Sequence, residues 1–143
     1  MILLDTHALV WYLDDPEKLS QKSREAIDTG LRDDGVGIAD ITLWEIAMLV
    51  HKGRLTFDRD VEQWLTDLSE LPNFRKFRIS PPIAALSARL PGKFHGDPAD
   101  RLIVATALNI DAPLVTRDGQ IRDYSHIKTI RRPLLFAFKS HFL

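Results

Sequence analysis

Apolar residues in this chain fall into two alternating kinds of run, and that alternation most restricts its fold. Short runs with polar borders read as buried strands: Met1 to Leu4, Val36 to Ala39 and Pro113 to Thr116. Phe74 to Ile79 and Ile127 to Ile130 add two more short strands. Between them lie longer segments with helical spacing. Ala8 to Leu13 suits a helix closed by Asp14-Asp15-Pro16. Ser20 opens a second, with Ala26, Ile27 and Leu31 on one side. Asp40 is placed to cap a third, from Ile41 to about His51, which Gly53 ends. Asp58 or Asp60 opens a helix in which Val61, Trp64, Leu65 and Leu68 share a face. Pro81-Pro82 begins one through Leu90, and Asp97-Pro98 begins one whose apolar residues run from Leu102 to Ile110.

Strands alternating with helices predict an α/β fold with a mainly parallel sheet. Parallel strands need crossovers, so their C-terminal ends collect on one edge, where ligands of open α/β sheets bind. A chain of 143 residues fits one domain with a real core. Trp11, Trp44 and Trp64 all sit within apolar helical patterns and read as core or interface. The net charge of −1 gives no global basic field. The absence of cysteine excludes disulfides, thiolate metal sites and cysteine nucleophiles. Asp5 and His7 interrupt the first apolar run, so no signal peptide is expected. No run reaches the length of a membrane span, and a cytoplasmic location is the expectation.

Four acids stand where strands should end or helices lie packed: Asp5, Glu45, Asp100 and Asp118. Asp5 ends MILLD, where it either caps the next helix or binds a metal; the Thr6 hydroxyl is placed to hold its carboxylate. Glu45 lies in ITLWEIAMLV, with apolar neighbours almost all round, where a carboxylate is costly unless paired or metal-bound. Asp97 is read as a helix cap, and Asp100 as an acid in the first turn of an otherwise apolar helix. Asp118 follows PLVTR and either makes a turn with Gly119 or joins a site. Carboxylates gathered at one edge repel each other and persist when a cation neutralises them. Mg²⁺ or Mn²⁺ and phosphodiester hydrolysis are the matching ion and chemistry. Arg101 and Arg117, each next to one of the acids, are candidate phosphate contacts.

Taken together, MILLDTH, ITLWEIAMLV, DPADRLIVATAL and LVTRD resemble the PIN-domain ribonucleases, and within them the VapC-type toxins of toxin–antitoxin pairs. The resemblance covers nearly the whole chain in the same order. It implies a compact α/β/α sandwich and a Mg²⁺- or Mn²⁺-dependent endoribonuclease. It also implies an RNA substrate, a VapB-like antitoxin partner and a homodimer. By the same resemblance the acids fall on Asp5, Glu45, Asp100 and Asp118, with Thr6 and Thr116 as supporting hydroxyls. His7 stands where many members carry asparagine. Members often stop near the position of Ile130, so residues 1–130 form the expected nuclease domain. The remainder, RRPLLFAFKSHFL at 131–143, is an apolar extension expected to pack on the domain or on a partner. The competing reading is a PIN-like RNA- or protein-binding module without catalysis.

Overall fold

The computed structural model describes residues 1–94 and 96–130. The chain runs β1 (Ile2–Leu4), α1 (Thr6–Asp14), a 3-10 turn (Pro16–Lys18), α2 (Gln21–Arg32), β2 (Val36–Ala39) and α3 (Ile41–His51). It continues through α4 (Val61–Glu70), β3 (Phe74–Phe77), α5 (Pro81–Ala88), α6 (Pro98–Asn109), β4 (Leu114–Val115), α7 (Gly119–Asp123) and β5 (Thr129–Ile130). The described strands form one five-stranded sheet of order β3-β2-β1-β4-β5, and all four pairings are parallel.

Period-two alternation in the strands divides the interior into two layers. Leu4 and Val115 face the α1, α2 and α4 side, where they meet Leu9, Ile27, Trp64 and Leu68. Leu3 and Leu114 face the other way, against Ile83, Ile103, Val104 and Ile121 of α5, α6 and α7. Helices therefore cover both faces, as a parallel sheet requires. Gly37 in β2 keeps the sheet flush: a Cβ there would sit 2.7 Å from the Phe77 ring and 3.1 Å from Leu3. Among the described residues, no helix is long and apolar enough to cross a membrane.

The helix starts expected at Asp5, Ser20, Asp60 and Asp97 are capped, Ser80 and Asp118 add two caps that the sequence reading did not name, and Asp40 is the exception. Asp5, Ser20, Asp60, Ser80, Asp97 and Asp118 each accept a backbone N–H at the start of a helix. Asp40 does not, because it already has helical dihedrals (φ −58°, ψ −30°). Its N–H instead donates to the Phe77 carbonyl at 2.8 Å, tying α3 to the end of β3. The strand expected over Phe74 to Ile79 stops at Phe77, where β2 ends opposite it. Asp118-Gly119, expected as a turn, starts the short helix α7. The three tryptophans part company: Trp64 is buried and Trp11 partly buried, but Trp44 is 55% exposed and is not a core residue. The extension at 131–143 lies outside the described residues, as does His95.

Candidate active site

The strand order reverses at β1 and β4. From β1 the chain moves to β2 on one side, and from β4 it moves to β5 on the other. This is the switch point at which a crevice opens beyond the strand ends. Leu4 pairs with Val115, so the next residues, Asp5 and Thr116, emerge side by side. The Asp5 N–H donates to the Val115 carbonyl at 3.1 Å. The Thr116 hydroxyl donates to Asp5 Oδ2, and Thr116 Oγ1 in turn accepts the Asp118 N–H at 3.0 Å. Asp5 Oδ1 accepts the Ala8 N–H at 2.9 Å. Asp5 thus caps α1 with one carboxylate oxygen and accepts the Thr116 hydroxyl with the other.

Glu45 approaches from α3. Its Oε1 accepts the Thr6 hydroxyl at 2.5 Å, and Thr6 also shares a 3.2 Å hydrogen bond with the fully buried Thr42. Thr6 therefore steadies Glu45, not Asp5 as expected; Thr116 does that work for Asp5. At α6, Asp97 accepts the Asp100 N–H at 2.8 Å as a cap. One carboxylate oxygen from each of Glu45, Asp97 and Asp100 lies within 4.8 Å of the others. Asp97, read from sequence as a cap alone, joins the group. Its three-residue spacing from Asp100 at a helix start was the available signal. Asp118 stands at the rim, exposed, with Oδ1 capping α7 through the Ile121 N–H at 2.9 Å.

The electrostatics report the crowding. Asp100 is pushed up from 3.8 to about 7, first by burial, then by the negative charges of Asp97, Asp118, Glu45 and Asp5. Glu45, Asp118 and Asp5 thus lie near enough to Asp100 to raise it, although only Glu45, Asp97 and Asp100 come within 4.8 Å of one another. Asp5 rises from 3.8 to about 6 through burial, opposed by its bonds to Thr116 and Ala8 and by His7. The donors are carboxylate and hydroxyl oxygens, a set suited to a hard divalent cation. Such an ion would relieve the repulsion that now favours protonation.

The two candidate phosphate contacts are otherwise engaged. The Arg101 guanidinium donates to the Ser87 carbonyl and the Phe94 carbonyl, each at 2.8 Å, and so clamps α5 and the following loop to α6. Arg117 donates to the Lys18 carbonyl at 2.8 Å and lies 5.6 Å over the Trp11 ring. Both stand next to an acid in sequence, yet each turns toward backbone on a neighbouring element.

The PIN domain family model matches residues 2–127. Ribonuclease VapC22 of Mycobacterium tuberculosis is 36% identical over 129 residues, covering 90% of this chain and 95% of that protein. FitAcB from Neisseria gonorrhoeae is similar in structure, with a TM-score of 0.64, 25% identity, and coverage of 90% of this chain and 96% of that one. VapBC2 from Rickettsia felis, bound to a promoter DNA fragment, has a TM-score of 0.67 at 19% identity, covering 92% and 98%.

Proposed function

The chain belongs to the PIN domain family, and from that premise we propose that it is a metal-dependent endoribonuclease, the toxin of a VapBC-type toxin–antitoxin pair. The observation that carries this reading is the gathering of the Glu45, Asp97 and Asp100 carboxylates within 4.8 Å of one another, with Asp5 and Asp118 near enough to raise Asp100 further. The name of the 36% identical relative, a ribonuclease, supports it.

Asp5, Glu45, Asp100 and Asp118 would hold Mg²⁺ or Mn²⁺, with Asp97 beside them. When bound, such an ion lowers the pKa of water and stabilises charge on phosphoryl oxygens. Thr116 and the Ala8 N–H hold the Asp5 carboxylate in one orientation. Thr6 does the same for Glu45. Fixed carboxylates keep the site ready without reorganisation during the reaction. A carboxylate at the rim orients the attacking water. In-line attack on the phosphodiester leaves a 5′-phosphate and a 3′-hydroxyl.

The partners under this reading are RNA, a cognate VapB-like antitoxin and a second copy of the chain, in the cytoplasm. Trp11, Tyr12 and Leu13 on α1 are only partly buried and offer apolar area to a partner helix. The test is to incubate the purified, antitoxin-free protein with structured RNA and Mg²⁺ or Mn²⁺, beside EDTA and Asp100→Asn controls. Cleavage lost in both controls is the expected result. No cleavage of any RNA, with no metal-induced thermal stabilisation, would favour the non-catalytic module instead.

A further inference from the structure

Among the described residues, Trp44 at 55% and Ile79 at 46% are the exposed large hydrophobics. Both lie by the same junction, at the C-terminal edge of the sheet. Thr42 and Ile46 of α3 are fully buried. At about 100° per residue, Trp44 between them points directly away from the core. It shares a helix face with Asp40, four residues earlier, and stands roughly 6 Å along the axis from it. The Asp40 N–H is bonded to the Phe77 carbonyl, and Arg78 and Ile79 follow Phe77 at once. On the other side, Trp44 adjoins Glu45, whose carboxylate lies in the acidic group. Indole and carboxylate thus spring from Cα atoms about 3.8 Å apart.

The β3 segment that ends at this corner is basic. The edge strand β3 carries Arg75 and Lys76, and Arg78 comes next. Arg75 lies 5.3 Å over the Phe77 ring, and Lys76 donates to the Leu71 carbonyl at 3.1 Å. Arg78 is exposed and makes no hydrogen bond, ion pair or ring contact with the other described residues. Basic residues on an edge strand prevent pairing with another chain. Arg78 stands beyond the last pair, Ala39 with Phe77, where that role has ended.

We propose that Trp44, Ile79 and Arg78 form a subsite for one strand of RNA passing the acidic cluster, with a base stacked on the indole and a phosphate held by the guanidinium. This rests on the ribonuclease reading. An exposed aromatic together with a cation that has no partner among the described residues is the combination that single-stranded nucleic acid uses. A partner helix would require a continuous apolar stripe. Here the two exposed large apolar side chains, Trp44 and Ile79, come from different elements and have Glu45 and Arg78 as chain neighbours. Arg101 and Arg117 are both committed to backbone carbonyls, so Arg78 supplies positive charge that they do not.

The test measures binding of a fluorescein-labelled, mixed-sequence single-stranded oligoribonucleotide to the full chain carrying Asp100→Asn, which blocks cleavage. Trp44→Ala should weaken binding roughly 5- to 100-fold, Trp44→Phe should largely restore it, and Arg78→Gln should flatten its salt dependence. In the otherwise unaltered chain, Trp44→Ala should raise KM and leave kcat nearly unchanged. Cleavage by the unaltered chain with equal RNA affinity in the Trp44→Ala and Arg78→Gln proteins would overturn the subsite alone. The same unchanged affinity, with loss of a protein partner's binding, would assign the corner to that partner and also overturn it. If the unaltered chain neither binds nor cleaves RNA, the ribonuclease reading falls and the subsite with it.

Discussion

Replacing Asp100 with asparagine should make the metal-free protein more stable while removing its activity. The carboxyl group rises from 3.8 to about 7 in the folded state because it is partly buried among like charges. A raised folded-state pKa stabilises the protein fully below 3.8, and that stability is lost as pH climbs through about 7. Above that window the folded chain must carry the ionised form, at a cost. At roughly 1.4 kcal/mol per pH unit, the rise sets a ceiling of about 4 kcal/mol. Solvent screening on its accessible side leaves about 2 kcal/mol as the expected gain for Asp100→Asn at pH 8. Relief of the neighbouring Asp5, itself raised to about 6, is included in that figure, because coupled charges do not add. Urea unfolding in EDTA at pH 8 and pH 4 reads the difference directly. The variant's midpoint should exceed that of the unaltered chain at pH 8 and match it at pH 4. Adding Mg²⁺ at pH 8 should then stabilise the unaltered chain more than the variant. Equal midpoints at pH 8, or an advantage independent of pH, would refute the crowding argument.

The remaining expectations concern the groups that support the acids. Thr116→Val removes the hydroxyl that serves both Asp5 and the Asp118 N–H, and should cost about 1–3 kcal/mol in urea unfolding as well as most of the cleavage rate. Cleavage at limiting Mg²⁺ should rise with pH through the window of about 6 to about 7 set by Asp5 and Asp100. More Mg²⁺ should move that rise to lower pH, because protons and cation compete for the same oxygens; a pH–rate series at two metal concentrations checks it. Arg101→Ala breaks the clamp on the Ser87 and Phe94 carbonyls and should destabilise the fold by about 2 kcal/mol, with little change in RNA affinity under conditions where it stays folded. A large loss of RNA affinity at unchanged stability would return Arg101 to the substrate.

Much of this molecule follows from short-range pattern. Apolar runs such as those before Asp5 and Asp118 form strands, and their order with the intervening helices makes the sheet parallel. An acid at or just beyond the end of such a strand must then emerge at the sheet's C-terminal edge, so the placement of Asp5 and Asp118 at that edge was legible before any contact was known. Helix caps were legible for the same local reason, since a cap needs only a side chain and the N–H two or three residues on. Asp40 failed as a cap because its backbone is already helical, while its N–H ties it to Phe77 of another strand.

What only the tertiary structure decided is which groups meet. Thr6 is adjacent to Asp5 but bonds Glu45, because the start of α1 directs its hydroxyl toward α3. Asp97 joins Glu45 and Asp100 because α6 begins beside α3. Arg101 and Arg117 neighbour acids in sequence but find carbonyls on other elements. Trp44 and Trp64 sit in similar apolar patterns, yet one is exposed and the other buried. Sequence periodicity defines the faces of a helix, but the packing of its neighbours chooses which face turns inward. The sequence by itself therefore determined the elements, their order and the acids at their ends. Packing determined how those acids are held and what surrounds them, because hydrogen-bond partners and burial depend on residues far apart in the chain.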